Sequence, residues 1–175
     1  METILGIHHI TAIASDPQAN IDFYTGVLGL RLVKVTVNFD DPGSYHFYYG
    51  DGQGSPGTIL TFFAWPGTWQ GRHGNGQVTV TSFAVPQGSL AFWRERLAAN
   101  QVAVDAPYER FGEQLLSFAD GDGLQLELIE TAALDPARAW TGSGIPLEFS
   151  IRCFHSATLS ETGYQRTAAL LTEQM

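Results

Sequence analysis

The order of strands and helices predicted for this sequence runs twice through its first 131 residues, and this repeat constrains the fold more than any other feature. Each unit begins with an alternating strand, continues with an amphipathic helix and closes with further strands. The helices align at IDFY (21–24) with LAFW (90–93), and the closing strands align at GTILT (57–61) with GLQLE (123–127). The pattern therefore predicts two βαβββ modules, over residues 1–65 and 76–131.

Two such modules predict an α+β fold of curved, mixed and mostly antiparallel sheets. The segments QVTVTSFAV (77–85) and LQLELIE (124–130) each supply an apolar face on which a helix can pack, while the other face stays open as a cup. We expect residues 1–131 to form one domain. Residues 132–146 then read as a linker, because they contain two prolines and two glycines.

A third copy of the repeat begins near the end of the sequence. CFHSATLS (153–160) aligns without a gap with GIHHITAI (6–13), and a helix is predicted after each of them. Residues 147–175 are therefore interpreted as the start of a third module that is truncated and has no sheet of its own to cover. An unpaired strand edge invites another chain, so we expect this segment to dock onto a second copy or a missing C-terminal half.

Composition excludes several classes of partner. Hydrophobic residues make up 44% and charged residues 15% of the 175, which is typical of a globular chain. The net charge of -9, with Lys34 as the single lysine, argues against nucleic-acid and anionic-membrane partners. The single cysteine, Cys153, allows no internal disulfide, and no apolar run is long enough to span a bilayer. These features predict a soluble, cytoplasmic protein.

The first strand carries two adjacent histidines, His8 and His9, in the stretch GIHHITAIA. Because neighbouring side chains of a strand point to opposite faces, one of the two is expected to face the cup. Neutral imidazole is the commonest metal ligand among side chains, so this position is a candidate metal site. The alternative, that both are ordinary edge-strand or hydrogen-bonded core histidines, stays open on the pattern alone.

The HHIT start, the FYTGVLGL helix end and the DGDGLQLELIE closing strand together resemble the vicinal oxygen chelate superfamily of glyoxalases, bleomycin resistance proteins and extradiol dioxygenases. More narrowly, residues 1–51 and GRHGNGQVTV (71–80) are similar to the N-terminal half of the four-module ring-cleaving dioxygenases that act on hydroquinones. The resemblance implies a glyoxalase/dioxygenase-like fold. It also implies an Fe(II)-dependent, extradiol-type cleavage of a hydroquinone- or catechol-like aromatic by dioxygen. Mn(II) or another divalent metal could replace the iron.

The resemblance also assigns roles to residues. His9 matches the metal histidine of the family motif, His8 its neighbour acting beside the metal, and Thr11 lies on the same face as His9, where it can line the pocket. Glu127 matches the carboxylate ligand of a metal-binding module. It also reads as a solvent-facing strand glutamate, and it would be structural if the first module pairs with a fourth, as in the four-module enzymes.

The other candidate positions give weaker evidence for a metal ligand or a pocket residue. Thr61, the counterpart of Glu127, is a poor ligand, and Val78, taken as the counterpart of His9, is none. In the third copy His155 aligns with His8, and Ser156 occupies the metal position. His46 and His73 are read as packing or surface residues. The aromatic residues of segments 45–49 and 58–65 either line an aromatic pocket or build the core.

Two functions from different classes remain open for this chain. One is a metal-dependent ring-cleaving dioxygenase, completed by a partner that supplies the remaining ligands. The other is a metal-free module of the glyoxalase/bleomycin-resistance type that binds a small aromatic ligand between its two units. At most two metal ligands, His9 and Glu127, come from the complete modules, and two are too few for a tight site.

Overall fold

The computed structural model describes residues 4–174, apart from the side chain of Arg138, and within that range it forms nine strands in two sheets. The predicted module bounds that fall on residues 1–3 and 175 lie outside the described residues. Among the described residues, no helix combines the length and the apolarity needed to cross a bilayer.

The first module forms a four-stranded sheet, here called sheet A. Its strands follow the order β1-β4-β3-β2, with β1 parallel to β4 and the other pairs antiparallel. Asp16 caps the helix by accepting hydrogen bonds from the backbone N–H groups of Gln18 and Ala19. The elements are β1 (His9–Ala14), helix α1 (Pro17–Ile21) continuing as a π-helix (Asp22–Val27), β2 (Arg31–Val37), β3 (Tyr45–Gly50) and β4 (Ile59–Ala64).

The second module repeats this arrangement in sheet B, with β5 parallel to β8 as β1 is parallel to β4. The strand order is β6-β7-β8-β5-β9, in which β9 (Cys153–Ser160) comes from the third copy of the repeat. The predicted α+β fold of two βαβββ modules is therefore confirmed. The elements are β5 (Gln77–Pro86), helix α2 (Leu90–Ala99), β6 (Tyr108–Arg110), β7 (Glu113–Ala119) and β8 (Gln125–Thr131).

The strand of the third copy has a partner within this chain, whereas the sequence predicted docking onto a second copy or a missing C-terminal half. This strand, β9 (Cys153–Ser160), pairs antiparallel with β5 and becomes the edge of sheet B. A helix α3 (Gln165–Ala169) follows and continues as a π-helix (Leu170–Gln174). The parallel partner β8 covers only one edge of β5, so the other edge could accept a strand from the same chain.

The segment predicted as a linker packs against the first module. It forms two short 3₁₀-helices (Pro136–Arg138 and Thr141–Ser143) and buries Ala139 and Ile145. Gly29 allows the close approach of Ile145, because a Cβ at Gly29 would lie 2.4 Å from Ile145 Cδ1. Gly29 also adopts a φ of +69°, which side chains disfavour. Residues 132–146 are therefore part of the folded unit.

The two helices cover one face of each sheet with equivalent aromatic residues. Tyr24 and Trp93 occupy the same position in the repeat, and both are fully buried. The Tyr24 ring lies 4.7 Å from that of Phe62 on sheet A, and its hydroxyl donates a 2.8 Å hydrogen bond to Asp120. The opposite face of each sheet, away from its helix, is called its open face below.

Candidate active site

The open face of sheet A is defined by the register of its strands. Exposure alternates along β1, so that His9, Thr11 and Ile13 are exposed while the residues between them pack toward the core. Thr11 lies beside Thr61 of β4, and Thr61 lies beside Tyr48 of β3. His9 and Thr11 therefore share the open face, as the sequence predicted.

His8 and His9 contact each other, although strand alternation predicted separate environments. Their Nδ1 atoms are 3.2 Å apart, and their rings meet edge to face with centroids 5.3 Å apart. The alternation rule does not apply, because β1 begins at His9 and His8 lies just before it. In the tautomer in which His9 Nδ1 donates to His8, the Nε2 lone pair of His9 is left for a ligand.

Thr11 is held by a hydroxyl pair on the open face. The Oγ1 of Thr61 donates a 2.9 Å hydrogen bond to Thr11 Oγ1. Thr61 is buried whereas Thr11 is exposed, so the outer hydroxyl is fixed from below and can donate its own proton outward. Thr11 shares a face with the candidate metal histidine, and its role in lining a pocket stays a prediction.

Glu127 lies on the other sheet and is fully engaged there. Its side chain is only 4% exposed, and it receives hydrogen bonds of 2.9 and 2.6 Å from the two terminal nitrogens of Arg110. Ser82 donates a further 2.7 Å bond, and Tyr108 makes a 3.5 Å contact. Burial acts to raise the pKa of Glu127, but the bonds from Arg110 and Ser82 outweigh it and hold the pKa below its usual value.

These contacts favour the structural role that the sequence left open for Glu127. Its two carboxylate oxygens already accept hydrogen bonds from a guanidinium and a hydroxyl, so a metal would have to displace them. Within residues 4–174, no three His, Cys, Asp or Glu side chains converge in a way that could hold a metal ion. His9 lies on sheet A, whereas Glu127 lies on sheet B with its oxygens bonded to Arg110 and Ser82.

The register also corrects the counterpart of His9 in the second module. Thr11 pairs with Thr61 on sheet A, and Ser82 pairs with Glu127 on sheet B. Because Thr61 and Glu127 are equivalent, Ser82 corresponds to Thr11, and Val80, rather than Val78, corresponds to His9. The prediction was wrong by two residues, because β5 has more residues before the position equivalent to His9 than β1 has. The conclusion that this position offers no ligand is unchanged.

The two sheets differ at one edge. Strand β5 is paired on both sides, by β8 and β9, whereas β1 is bonded to β4 and no other strand of residues 4–174 pairs with its second edge. In β9, Ser156 lies opposite Ser82 and Thr158 opposite Val80. When Ser156 is aligned with His9, each of these two pairs joins a counterpart of His9 to a counterpart of Thr11. The register is therefore symmetrical, which agrees with that alignment. His155 bonds to Ser156 and Glu113.

Three participants in these sites were not recognised in the sequence. Arg110 lies on β6, which β7 separates from β8, and Ser82 lies on β5, where only the parallel register of β5 and β8 shows that it reaches Glu127. Tyr48 was read only as one of several aromatic residues, yet alternation along β3 places it with His46 on the open face. The period-two spacing of the two residues was the available signal.

Most of the chain matches one known protein superfamily. Residues 6–128 match the model of the Glyoxalase/Bleomycin resistance protein/Dioxygenase superfamily. The chain belongs to this superfamily. The predicted resemblance to vicinal oxygen chelate proteins is thereby confirmed.

Two curated relatives carry names of ring-cleaving enzymes. "Putative ring-cleaving dioxygenase MhqO" of Bacillus subtilis (strain 168) is 52% identical over 174 residues, which is 98% of this chain and 54% of that protein. "Chlorohydroquinone/hydroquinone 1,2-dioxygenase" of Sphingobium indicum is 37% identical over 160 residues, or 90% of this chain and 50% of that protein. The chain thus spans about half the length of the curated relatives it matches.

Solved structures agree with this assignment. A crystal structure of a "putative dioxygenase" from Bacillus subtilis shares 51% identity with a TM-score of 0.94, covering all of this chain and 56% of that one. The fosfomycin resistance protein FosX of Listeria monocytogenes, crystallised with Mn(II) and sulfate, shares 18% identity with a TM-score of 0.54, covering 74% of this chain and 95% of that one. The second likeness shows the fold alone, in a superfamily in which FosX binds a divalent metal.

Proposed function

We propose that this chain forms the N-terminal part of a ring-cleaving dioxygenase of the extradiol type, with His9 as one ligand of a divalent metal. The metal we expect is Fe(II), or Mn(II) in its place, and the substrate is a hydroquinone- or catechol-like aromatic cleaved with dioxygen. The observation that carries this proposal is the exposed His9 on the open face of sheet A, in a chain 52% identical to a protein named as a ring-cleaving dioxygenase.

The residues present fit such a metal as part of a site. His8 would hold the His9 ring through the contact between their Nδ1 atoms, in the way that outer partners orient metal-bound imidazoles. A bound divalent metal would supply open coordination positions and lower the pKa of a phenol that coordinates it. Thr11, fixed by Thr61, would donate a hydrogen bond to an oxygen above the open face. Glu127 does not fit, because Arg110 and Ser82 engage it.

The remaining ligands would come from a strand along the free edge of β1. The pairing of β9 with β5 is a guide to how such a strand could lie. The two strands run antiparallel, and the approximate two-fold axis that relates them passes through the pair Thr81 and Ala157. The equivalent axis on β1 passes through Ile10. The partner's counterpart of His9 would then lie opposite Thr11 and face the same side as His9. The partner can be a second copy of this chain or a C-terminal half.

Oxygen uptake with hydroquinone tests this proposal. The chain is loaded with Fe(II) under nitrogen, its mass is measured by sedimentation, and oxygen consumption is followed together with the absorbance of the ring-opened product. We expect uptake in the associated form and its loss in His9→Ala, whereas His73→Ala, which removes an exposed loop histidine, keeps it. Glu127→Gln should also keep activity if the mutant folds.

A metal-free binding module predicts a different result. Hydroquinone would then bind to the chain without oxygen uptake, and His9→Ala would leave that binding unchanged. This outcome, or equal activity in the wild-type chain and in His9→Ala, would contradict the proposed enzyme.

A further inference from the structure

A hydrogen-bonded tyrosine and histidine lie on the same open face as His9, two strands away. Tyr48 and His46 are on β3, which is separated from β1 only by β4. Tyr48 lies level with Thr11, because each pairs with Thr61. With neighbouring strands about 4.8 Å apart, the pair stands about 10 Å from β1 across the sheet. His9 lies two residues from Thr11 along β1, so about 12 Å separates its position from that of Tyr48, and the pair would stand at the far end of a ligand bound at His9.

The pair is held firmly in one arrangement. Tyr48 Oη and His46 Nδ1 are 3.0 Å apart. The imidazole packs against two rings, with its centroid 4.3 Å from that of Tyr48 and 4.1 Å from that of Phe63. Burial lowers the pKa of His46, and the charge of Lys34 lowers it further, so the imidazole is neutral near pH 7. A neutral imidazole can donate through one nitrogen and accept through the other.

The hydrogen bonding of this pair is incomplete. His46 Nε2 is buried, and no described residue forms a hydrogen bond to it. Buried polar atoms without partners are rare in native proteins, and each calls for an explanation. The Tyr48 hydroxyl can form further hydrogen bonds besides the one to His46. A core that only needed aromatic packing here could use phenylalanine at both positions and leave no polar atom unpaired.

A positive charge lies over the same tyrosine. Lys34 on β2 is directly opposite Tyr48, and its Nζ lies 5.3 Å from the centre of the Tyr48 ring. It is the single lysine in a chain of net charge -9. A cation at this place favours an electron-rich or ionised oxygen near the Tyr48 hydroxyl.

We propose that Tyr48, positioned by His46, binds the second hydroxyl of a 1,4-dihydroxyaromatic ligand whose first oxygen lies at His9. This rests on the proposed function, which places the ligand on this face. A 1,4-diol carries its two oxygens at opposite ends of the ring, so one can lie at β1 while the other reaches β3. A 1,2-diol carries both oxygens at one end and leaves Tyr48 without a partner. The pair therefore selects hydroquinones over catechols and phenols.

Ligand binding to the full chain, without added metal and under nitrogen, tests this inference. Dissociation constants for hydroquinone, catechol and phenol are measured by NMR titration of the aromatic and imidazole signals. The wild-type chain should bind hydroquinone about five- to tenfold more tightly than phenol or catechol, which is the net contribution of about one hydrogen bond.

The variants separate recognition from folding. Tyr48→Phe should abolish the preference for hydroquinone over phenol while phenol binding stays the same. His46→Gln should reduce the preference, because the hydroxyl of Tyr48 loses its fixed orientation; a merely structural role would weaken both ligands alike. Tyr45→Phe is the matched control. It removes a hydroxyl from the same strand, on the opposite face, and should leave the preference intact.

Each outcome decides between the inference and the proposed function. Equal binding of hydroquinone and phenol by the wild-type chain overturns the role of Tyr48 but leaves the open face as an aromatic site. An unchanged preference in Tyr48→Phe, or its loss in Tyr45→Phe, overturns it as well. If none of the three ligands binds, the inference is overturned, whereas the proposed metal site at His9 is decided by oxygen uptake in the Fe(II)-loaded chain.

Discussion

Replacing Arg110 with methionine should destabilise the chain strongly, because it leaves a buried carboxylate without its counter-ion. Glu127 is only 4% exposed and receives two bonds from Arg110, while Ser82 alone supplies another short bond. Breaking a buried ion pair from one side costs about 3–5 kcal/mol. Arg110 is 32% exposed, so water already screens part of this interaction and could enter the vacated space. We therefore expect Arg110→Met to lower the free energy of unfolding by about 2–4 kcal/mol at pH 7.

Urea unfolding at pH 7 measures this, and two further variants complete a double-mutant cycle. Glu127→Leu should cost less than Arg110→Met, because the guanidinium left behind is partly exposed and can be hydrated. The double variant Arg110→Met with Glu127→Leu should recover most of the loss, since apolar replacement of a buried pair is often close to neutral. A loss below about 0.5 kcal/mol for Arg110→Met, with no coupling to Glu127, would mean that the buried carboxylate does not depend on this counter-ion.

Three further predictions follow from single contacts. Because the pKa of Glu127 is lowered in the folded chain, its contribution to stability is present above the unfolded carboxyl pKa of about 4.3 and is lost as the pH falls through the lower folded value. Acid unfolding of Glu127→Gln should therefore be less steep than that of the wild-type chain, and equal slopes would contradict this. Tyr24→Phe removes the hydrogen bond to the partly buried Asp120 and should cost about 1–3 kcal/mol in urea unfolding; a neutral effect would contradict the proposed contribution of this bond. Gly29→Ala should cost more than about 1 kcal/mol, from its positive φ and its contact with Ile145, and a melting temperature equal to that of the wild-type chain would count against both.

The fold could be predicted from the sequence because the repeat depends on the order of strands and helices and not on which residues pair. Alternating strands and one amphipathic helix per unit were enough to predict two βαβββ modules, and the structure has them. Equivalent positions could be aligned where both modules carry a clear hydrophobic pattern. Tyr24 and Trp93 in the two helices are an example. Both are fully buried.

Register was predicted less well, because it depends on strand length and irregularities that alternation does not reveal. The counterpart of His9 was placed at Val78 rather than Val80, in a strand whose pairing with β9 is irregular between these two residues. The contact between His8 and His9 was excluded on the assumption that both belong to β1. A one-residue difference in where the strand begins removes that exclusion.

The sequence predicted only those parts of the candidate site that depend on one residue and its local pattern. His9 and Thr11 follow from a motif and its alternation, and they share a face. The state of Glu127 depends on a partner 17 residues earlier in the sequence, Arg110 on β6, whose register no local pattern specifies. The pairing of Tyr48 with His46 was hidden among aromatic residues, which usually serve the core.

We expect a divalent metal to bind through His9 on the open face of sheet A, and not on the open face of sheet B. Line broadening of the five histidine ring signals by substoichiometric Mn(II) tests this directly on the intact chain, with assignments from single histidine variants. We predict that His8 and His9 broaden first, that His155 and His73 broaden last, and that His9→Ala abolishes the selective effect. Selective broadening of His155, which lies on sheet B, with sharp signals from His8 and His9 would contradict the claim.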